Sequence, residues 1–160
     1  MEIKTYTNKN AKKIINKIIN TQSEQLLEQS LMFLCYWLAL KREVICYSIC
    51  EQGIIKSILL LSKCDFDPFK KYSNPYLIDY IYTFPEYRRL GYATKILSYV
   101  KSKKETSAMC NGDKSEELFK KSGFLNFGAN SNNLQIYRFP WNNLTICFNT
   151  PIIFNKISLD

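Results

Sequence analysis

Apolar residues switch along the chain between a helical spacing and a two-residue alternation, and the order of the switches predicts a mixed α/β (α+β) fold. Glu2 to Thr7 reads as a short opening strand. Ile14, Ile15, Ile18 and Ile19 then share one helical face, opposed by Lys12, Lys13 and Lys17. Thr21-Gln-Ser-Glu24 has the spacing of a capping box and predicts the start of a second helix, in which Leu27, Leu31, Leu34 and Leu38 recur at helical spacing. From Glu43 the texture changes. Val44 to Cys50, a Glu51-Gln52-Gly53 turn and Ile54 to Ser62 predict a hairpin of two largely buried strands, followed by a polar loop from Lys63 to Pro75. Tyr76 to Phe84 is a third long strand stopped by Pro85, and Ala93, Ile96, Leu97 and Val100 mark an amphipathic helix after it. Thr106 to Cys110 is a short strand. Asp113-Lys-Ser-Glu116 offers another N-terminal cap, and the helix through Phe119 stops at Gly123, a left-handed C-cap. Phe124 to Phe127 and Leu134 to Arg138 are the last strands, joined by an Asn-rich loop.

No repeat, linker or long single-sign block divides the chain, so one domain is expected over residues 1–139. Residues 140–160 are apolar enough to pack on the same domain or to form a dimer contact. The longest apolar run, Leu31 to Leu40, is about half of a membrane span, and no signal-like block is present. A cytoplasmic protein that meets no membrane is the expectation.

The six cysteines are scattered and histidine is absent, which argues for reduced thiols and against a metal site. The missing histidine also removes every Ser-His or Cys-His catalytic arrangement. Any chemistry must rest on carboxylates, tyrosines, thiols, lysines or main-chain dipoles. The net charge of +8 favours an anionic partner. Nucleic acid fits poorly, because arginine is scarce and no aromatic-basic motif stands at a known spacing.

Arg88-Arg89-Leu90-Gly91-Tyr92-Ala93-Thr94 lies between the strand-ending Pro85 and the start of an amphipathic helix. Amides at such a helix mouth have no internal partners, and Gly91 and Ala93 lack bulk. A pyrophosphate could approach closely, favoured by the helix dipole and by Arg88 and Arg89.

In this setting the stretch from Tyr80 through Pro85, Arg88, Gly91 and Ala93 to Leu97 resembles the GNAT superfamily signature, a strand, a Pro-x-x-Arg-x-x-Gly-x-Gly/Ala turn and a helix. Leu118-Phe119-Lys-Lys-Ser-Gly123-Phe124 is similar to the family's second block. The resemblance implies the GNAT fold, with a mixed sheet of six or seven strands flanked by about four helices. The sheet would splay between the strands at Tyr76 to Phe84 and Thr106 to Cys110, with acetyl-CoA as co-substrate and no metal. The pantetheine arm would pair with backbone near Tyr82 and Thr83, where a main-chain N–H would polarise the acetyl carbonyl. Asn111 matches a family pantetheine contact approximately. The activity implied is transfer of an acetyl group to a primary amine of a small molecule or protein.

Transfer needs a base for the amine and an acid for the departing thiolate. Asp79 is the candidate base, an acidic residue inside an apolar strand, expected by period-two counting on the same face as Ile81 and Thr83. The family's usual acid, a tyrosine in the second block, is replaced by Phe119. Tyr82, Tyr137 or Cys110 could substitute. Alternatively the domain is catalytically silent and serves as a CoA-binding or assembly module.

Overall fold

The computed structural model describes residues 2–65, 67, 72–110, 113–129 and 135–138. In chain order the elements are β1 (Glu2–Thr7), α1 (Asn8–Gln22), α2 (Glu28–Ala39), β2 (Val44–Glu51), β3 (Ile54–Lys63), β4 (Pro75–Thr83), α3 (Tyr92–Lys101), β5 (Glu105–Cys110), α4 (Asp113–Lys121), β6 (Leu125–Ala129) and β7 (Gln135–Arg138). The seven strands make one sheet in the order β1-β2-β3-β4-β5-β7-β6. Among the described residues only β4 and β5 run parallel; α3 supplies the crossover that a parallel pair requires.

Period-two alternation divides the core between the two faces of the sheet. Val44, Cys46, Ile58, Leu60, Tyr82 and Phe84 pack with Ile15 and Ile18 of α1 and with Leu34 and Trp37 of α2. Ile45, Tyr47, Leu59, Leu61, Tyr76 and Ile78 point the other way, onto Ile96, Leu97 and Val100 of α3 and Phe119 of α4. Strands buried on both faces explain why β2 and β3 read as nearly continuous apolar runs. No helix among the described residues is long and apolar enough to cross a membrane.

The capping box expected at Thr21 to Glu24 is not formed. Helix α1 runs on to Gln22, and the Thr21 hydroxyl donates backwards to the Lys17 carbonyl at 2.8 Å. A short 3-10 turn (Ser23–Gln25) follows, and α2 begins only at Glu28 without a side-chain cap. A threonine hydroxyl can bond back within a helix as well as cap the next one, and here the longer apolar face of α1 decides. Leu27 consequently falls outside α2, 67% exposed, while Leu34 is buried.

The second block behaves as its sequence suggests. Gly123 has φ +82°, its N–H donates to the Lys120 carbonyl, and the Phe124 N–H donates to the Phe119 carbonyl. This paired closure of α4 needs a left-handed residue, which glycine supplies without strain. The Glu116 carboxylate accepts from the Tyr137 hydroxyl at 2.8 Å and from Lys120 Nζ at 3.3 Å. Residues 140–160 and Asn111 lie outside the described residues, so their expected packing and pantetheine contact are not addressed by the structure.

Candidate active site in the opening between β4 and β5

The parallel ladder between β4 and β5 has four rungs, from Pro75 opposite Glu105 to Ile78 opposite Ala108. It stops one residue before an irregularity on the other side of β4. Leu61 pairs with Ile78 but Leu60 pairs with Tyr80, so Asp79 is an extra residue in β4. A bulge of this kind bends its strand and sharpens the local twist. Beyond it, β4 continues to Thr83 with no pairing to β5. The result is a strand edge in the middle of a sheet, a ready template for an extended ligand.

The same bulge corrects the expected face of Asp79. Two-residue counting places it with Ile81 and Thr83, but the inserted residue breaks the alternation and turns Asp79 to the face of α1 and α2. Its Oδ1 accepts from the Ser62 hydroxyl and its Oδ2 from Trp37 Nε1, each at 3.1 Å. Ile81 instead packs against the α3 and α4 face. Burial pushes its pKa up to about 6, and the bonds from Ser62 and Trp37 and the nearby Arg42 hold it from rising further. Such a group is ionised at neutral pH yet basic enough to take a proton. Trp37→Phe removes one of the restraining bonds, so the Asp79 titration midpoint is expected to rise above that of the parent. Carboxyl carbon shifts followed by NMR against pH measure it, and an unchanged midpoint would show that the indole bond does not matter to the charge.

Sequence reasoning missed Trp37 and Ser62. One signal was present, since a buried indole N–H usually finds an acceptor and Asp79 is an acid in an otherwise apolar strand. Tyr82 also faces α2, its hydroxyl donating to the Gln25 carbonyl at 2.6 Å, while Gln25 Nε2 donates to Glu86 at 3.0 Å. These bonds lay the turn after α1 across the end of β4.

The mouth of α3 closes the other end of the opening. Gly91 is its N-cap with φ +79°, Arg89 is also left-handed at φ +63°, and no side chain caps the helix. The first helical bond is from the Lys95 N–H to the Gly91 carbonyl, and among the described residues no main-chain carbonyl accepts from the amides of Leu90, Gly91, Tyr92, Ala93 and Thr94. Five N–H groups at a helix N-terminus form an anion-binding concavity. Arg88 differs from expectation in its side chain. Its Nε donates to the Thr83 carbonyl at 3.1 Å and its Nη2 to the Tyr82 hydroxyl at 3.3 Å, so it ties the turn to β4. Arg89 and Thr94 remain exposed at the mouth.

Phe119 is buried, its ring at 5.1 Å from Phe124 and at 6.1 Å, nearly parallel, from Tyr137. Of the substitutes considered for its missing hydroxyl, Tyr82 is bound on the opposite face of the sheet. Cys110 and Tyr137 stand with Phe119.

The described residues form a seven-stranded mixed sheet, opened at the parallel junction of β4 and β5 and flanked by four helices. No protein-family model and no curated protein sequence matches the chain. Solved structures do. The chain is similar to Tetrahymena GCN5 (TM-score 0.60, 13% identity, 88% of this chain and 98% of that one). It is similar also to a Desulfovibrio desulfuricans protein assigned to the acetyltransferases of the GNAT family (TM-score 0.56, 11% identity, 86% and 98%). A third is the aminoglycoside N-acetyltransferase AAC(6')-Iy in complex with CoA (TM-score 0.53, 14% identity, 78% and 91%). The chain therefore has the GNAT fold.

Proposed function

We propose that the protein transfers an acetyl group from acetyl-CoA to a primary amine of a small molecule or protein. The observation that carries this reading is the coincidence, on one strand, of an unpaired edge (Asp79 to Thr83), a raised-pKa carboxylate at its start and an uncapped helix mouth at its end. A neighbour of the same fold holds CoA. The pyrophosphate sits on the amides of Leu90 to Thr94, with Arg88, Arg89 and the dipole of α3 adding positive potential. The pantetheine arm extends along β4 past Tyr82 and Thr83 as an added strand. A main-chain N–H of β4 polarises the acetyl carbonyl. The amine enters from the α2 side, loses its proton to Asp79, attacks the carbonyl carbon and displaces the thiolate, which takes a proton to leave as CoA.

Acetyl-CoA is expected to bind with a micromolar or tighter dissociation constant by calorimetry. Transfer is read as thiol release with a panel of spermidine, kanamycin, a peptide with an unblocked N-terminus and a lysine peptide. The +8 charge disfavours the polycation. No heat and no thermal shift with acetyl-CoA would end the proposal. One observation favours a second reading, a silent CoA-binding or assembly module: Phe119 has no proton to give. That module binds acetyl-CoA and acetylates nothing.

A further inference from the structure

Helix α2 turns an uncharged side to solvent. It carries one charged residue, Glu28 in its first turn, and none from Gln29 to Ala39. Leu34 and Trp37 pack on the sheet, while Met32, 69% exposed, and Tyr36, 52% exposed, stand on the outer side with Cys35 and Ala39. A helix laid on a sheet ordinarily gives that side to charged residues, and a chain with a net charge of +8 has them to spare. A contiguous apolar patch left in water marks a binding surface.

The patch runs into the opening. The Tyr36 ring lies 6.5 Å from Phe33, Phe33 stacks on Tyr80 at 5.2 Å, and Tyr80 stacks on Tyr82 at 5.8 Å. Tyr80 and Tyr82 belong to the part of β4 that β5 leaves unpaired. Tyr80 follows Asp79 directly, and the helix that carries Phe33 and Tyr36 also carries Trp37, whose indole bonds the Asp79 carboxylate. A row of rings therefore leads from solvent to the candidate base. Each Asp79 oxygen accepts a bond from the protein and keeps a lone pair for an ammonium. Ring faces attract the same cation on its way in.

We infer that the acceptor is an arylalkylamine: a primary amine joined by a short alkyl chain to an aromatic ring, with no second charge. The inference deepens the acetyltransferase reading above and rests on it. Asp79 holds the ammonium, and the aromatic body lies on the Phe33 and Tyr36 rings with the Met32 thioether at its edge. The alkyl chain is short because a single ring stack of 5.2 Å separates Tyr80, next to Asp79, from Phe33. A polyamine or an aminoglycoside needs charged partners along its whole length, and α2 offers only Glu28.

The test measures kcat/KM at saturating acetyl-CoA for tryptamine, phenethylamine and ethylamine beside spermidine, kanamycin and the two peptides. The parent is expected to favour tryptamine and phenethylamine over every other amine by about tenfold or more. In the double variant Met32→Ser/Tyr36→Ser the ratio of kcat/KM for tryptamine to that for ethylamine is expected to fall about tenfold, through KM, with the acetyl-CoA dissociation constant within about twofold of the parent's. A parent that favours spermidine, kanamycin or a peptide overturns the inference and leaves the acetyltransferase reading standing. So does an aryl preference that the double variant keeps in full, or a variant that loses acetyl-CoA affinity along with tryptamine turnover. Sedimentation of both proteins covers the other occupant: a dimeric parent made monomeric by the two substitutions gives the patch to a second copy and also overturns the inference. A parent that binds acetyl-CoA but acetylates none of the amines removes both.

Discussion

At pH 7.5 the Asp79→Asn variant is expected to melt at a higher temperature than the parent while losing about 10²- to 10⁴-fold in acetyl transfer. The stability gain follows from the sign of the pKa shift. Burial lifts Asp79 from 3.8 to about 6, so the folded protein holds this proton more tightly than the unfolded chain does. Ionising it opposes folding: the cost is absent below pH 4, grows between pH 4 and 6, and is complete above pH 6. A shift of this size corresponds to at most about 3 kcal/mol, and contact with solvent reduces it. Asparagine removes the charge and keeps the bonds. Its oxygen accepts from Trp37 Nε1, and the Ser62 hydroxyl turns to accept from its amide. Melting curves from pH 4 to 8 check this, with a difference that vanishes at the acid end. A variant destabilised at pH 7.5, or a difference independent of pH, would show that Asp79 is a structural bond donor's partner and no more.

Gly91→Val is expected to weaken acetyl-CoA binding at least tenfold, with a smaller change in kcat at saturation. At φ +79° a residue with a side chain costs about 1–2 kcal/mol, and β-branching adds to it. Relaxing that angle rotates the amides that follow. No heavy atom lies within 4 Å of where a Cβ would stand, so a loss of affinity would report the backbone turn and not a steric collision within the protein. Calorimetry with acetyl-CoA decides. Equal affinities would place the pyrophosphate elsewhere.

The elements were legible where a local pattern was enough to choose the buried face. The alternation in β2 and β3, the Ile96, Leu97 and Val100 stripe of α3 and the Gly123 stop each contain their own instruction. The Thr21 to Glu24 signature failed because its side chains had two local partners, and α1 took the threonine. The helix mouth at Gly91 was readable, being a matter of adjacent residues. The face of Asp79 was not. It depends on one inserted residue relative to β3, a relation between strands that no spacing within β4 reveals. Trp37 and Ser62 were hidden for the same reason: each joins the site from an element distant in sequence.

The four-rung junction has a consequence for how the protein opens. On one side of it β2, β3 and β4 share long ladders and both buried faces; on the other, β5, β6 and β7 are short and are held by those four rungs, by the packing of α3 and α4 and by the buried Arg138–Asp67 ion pair. Partial unfolding therefore separates the β5 to β7 flap from an intact β1 to β4 body more cheaply than it melts the whole. Amide protons of β5 and β7 exchange with solvent before those of β3, and a ligand bridging the junction slows the flap most.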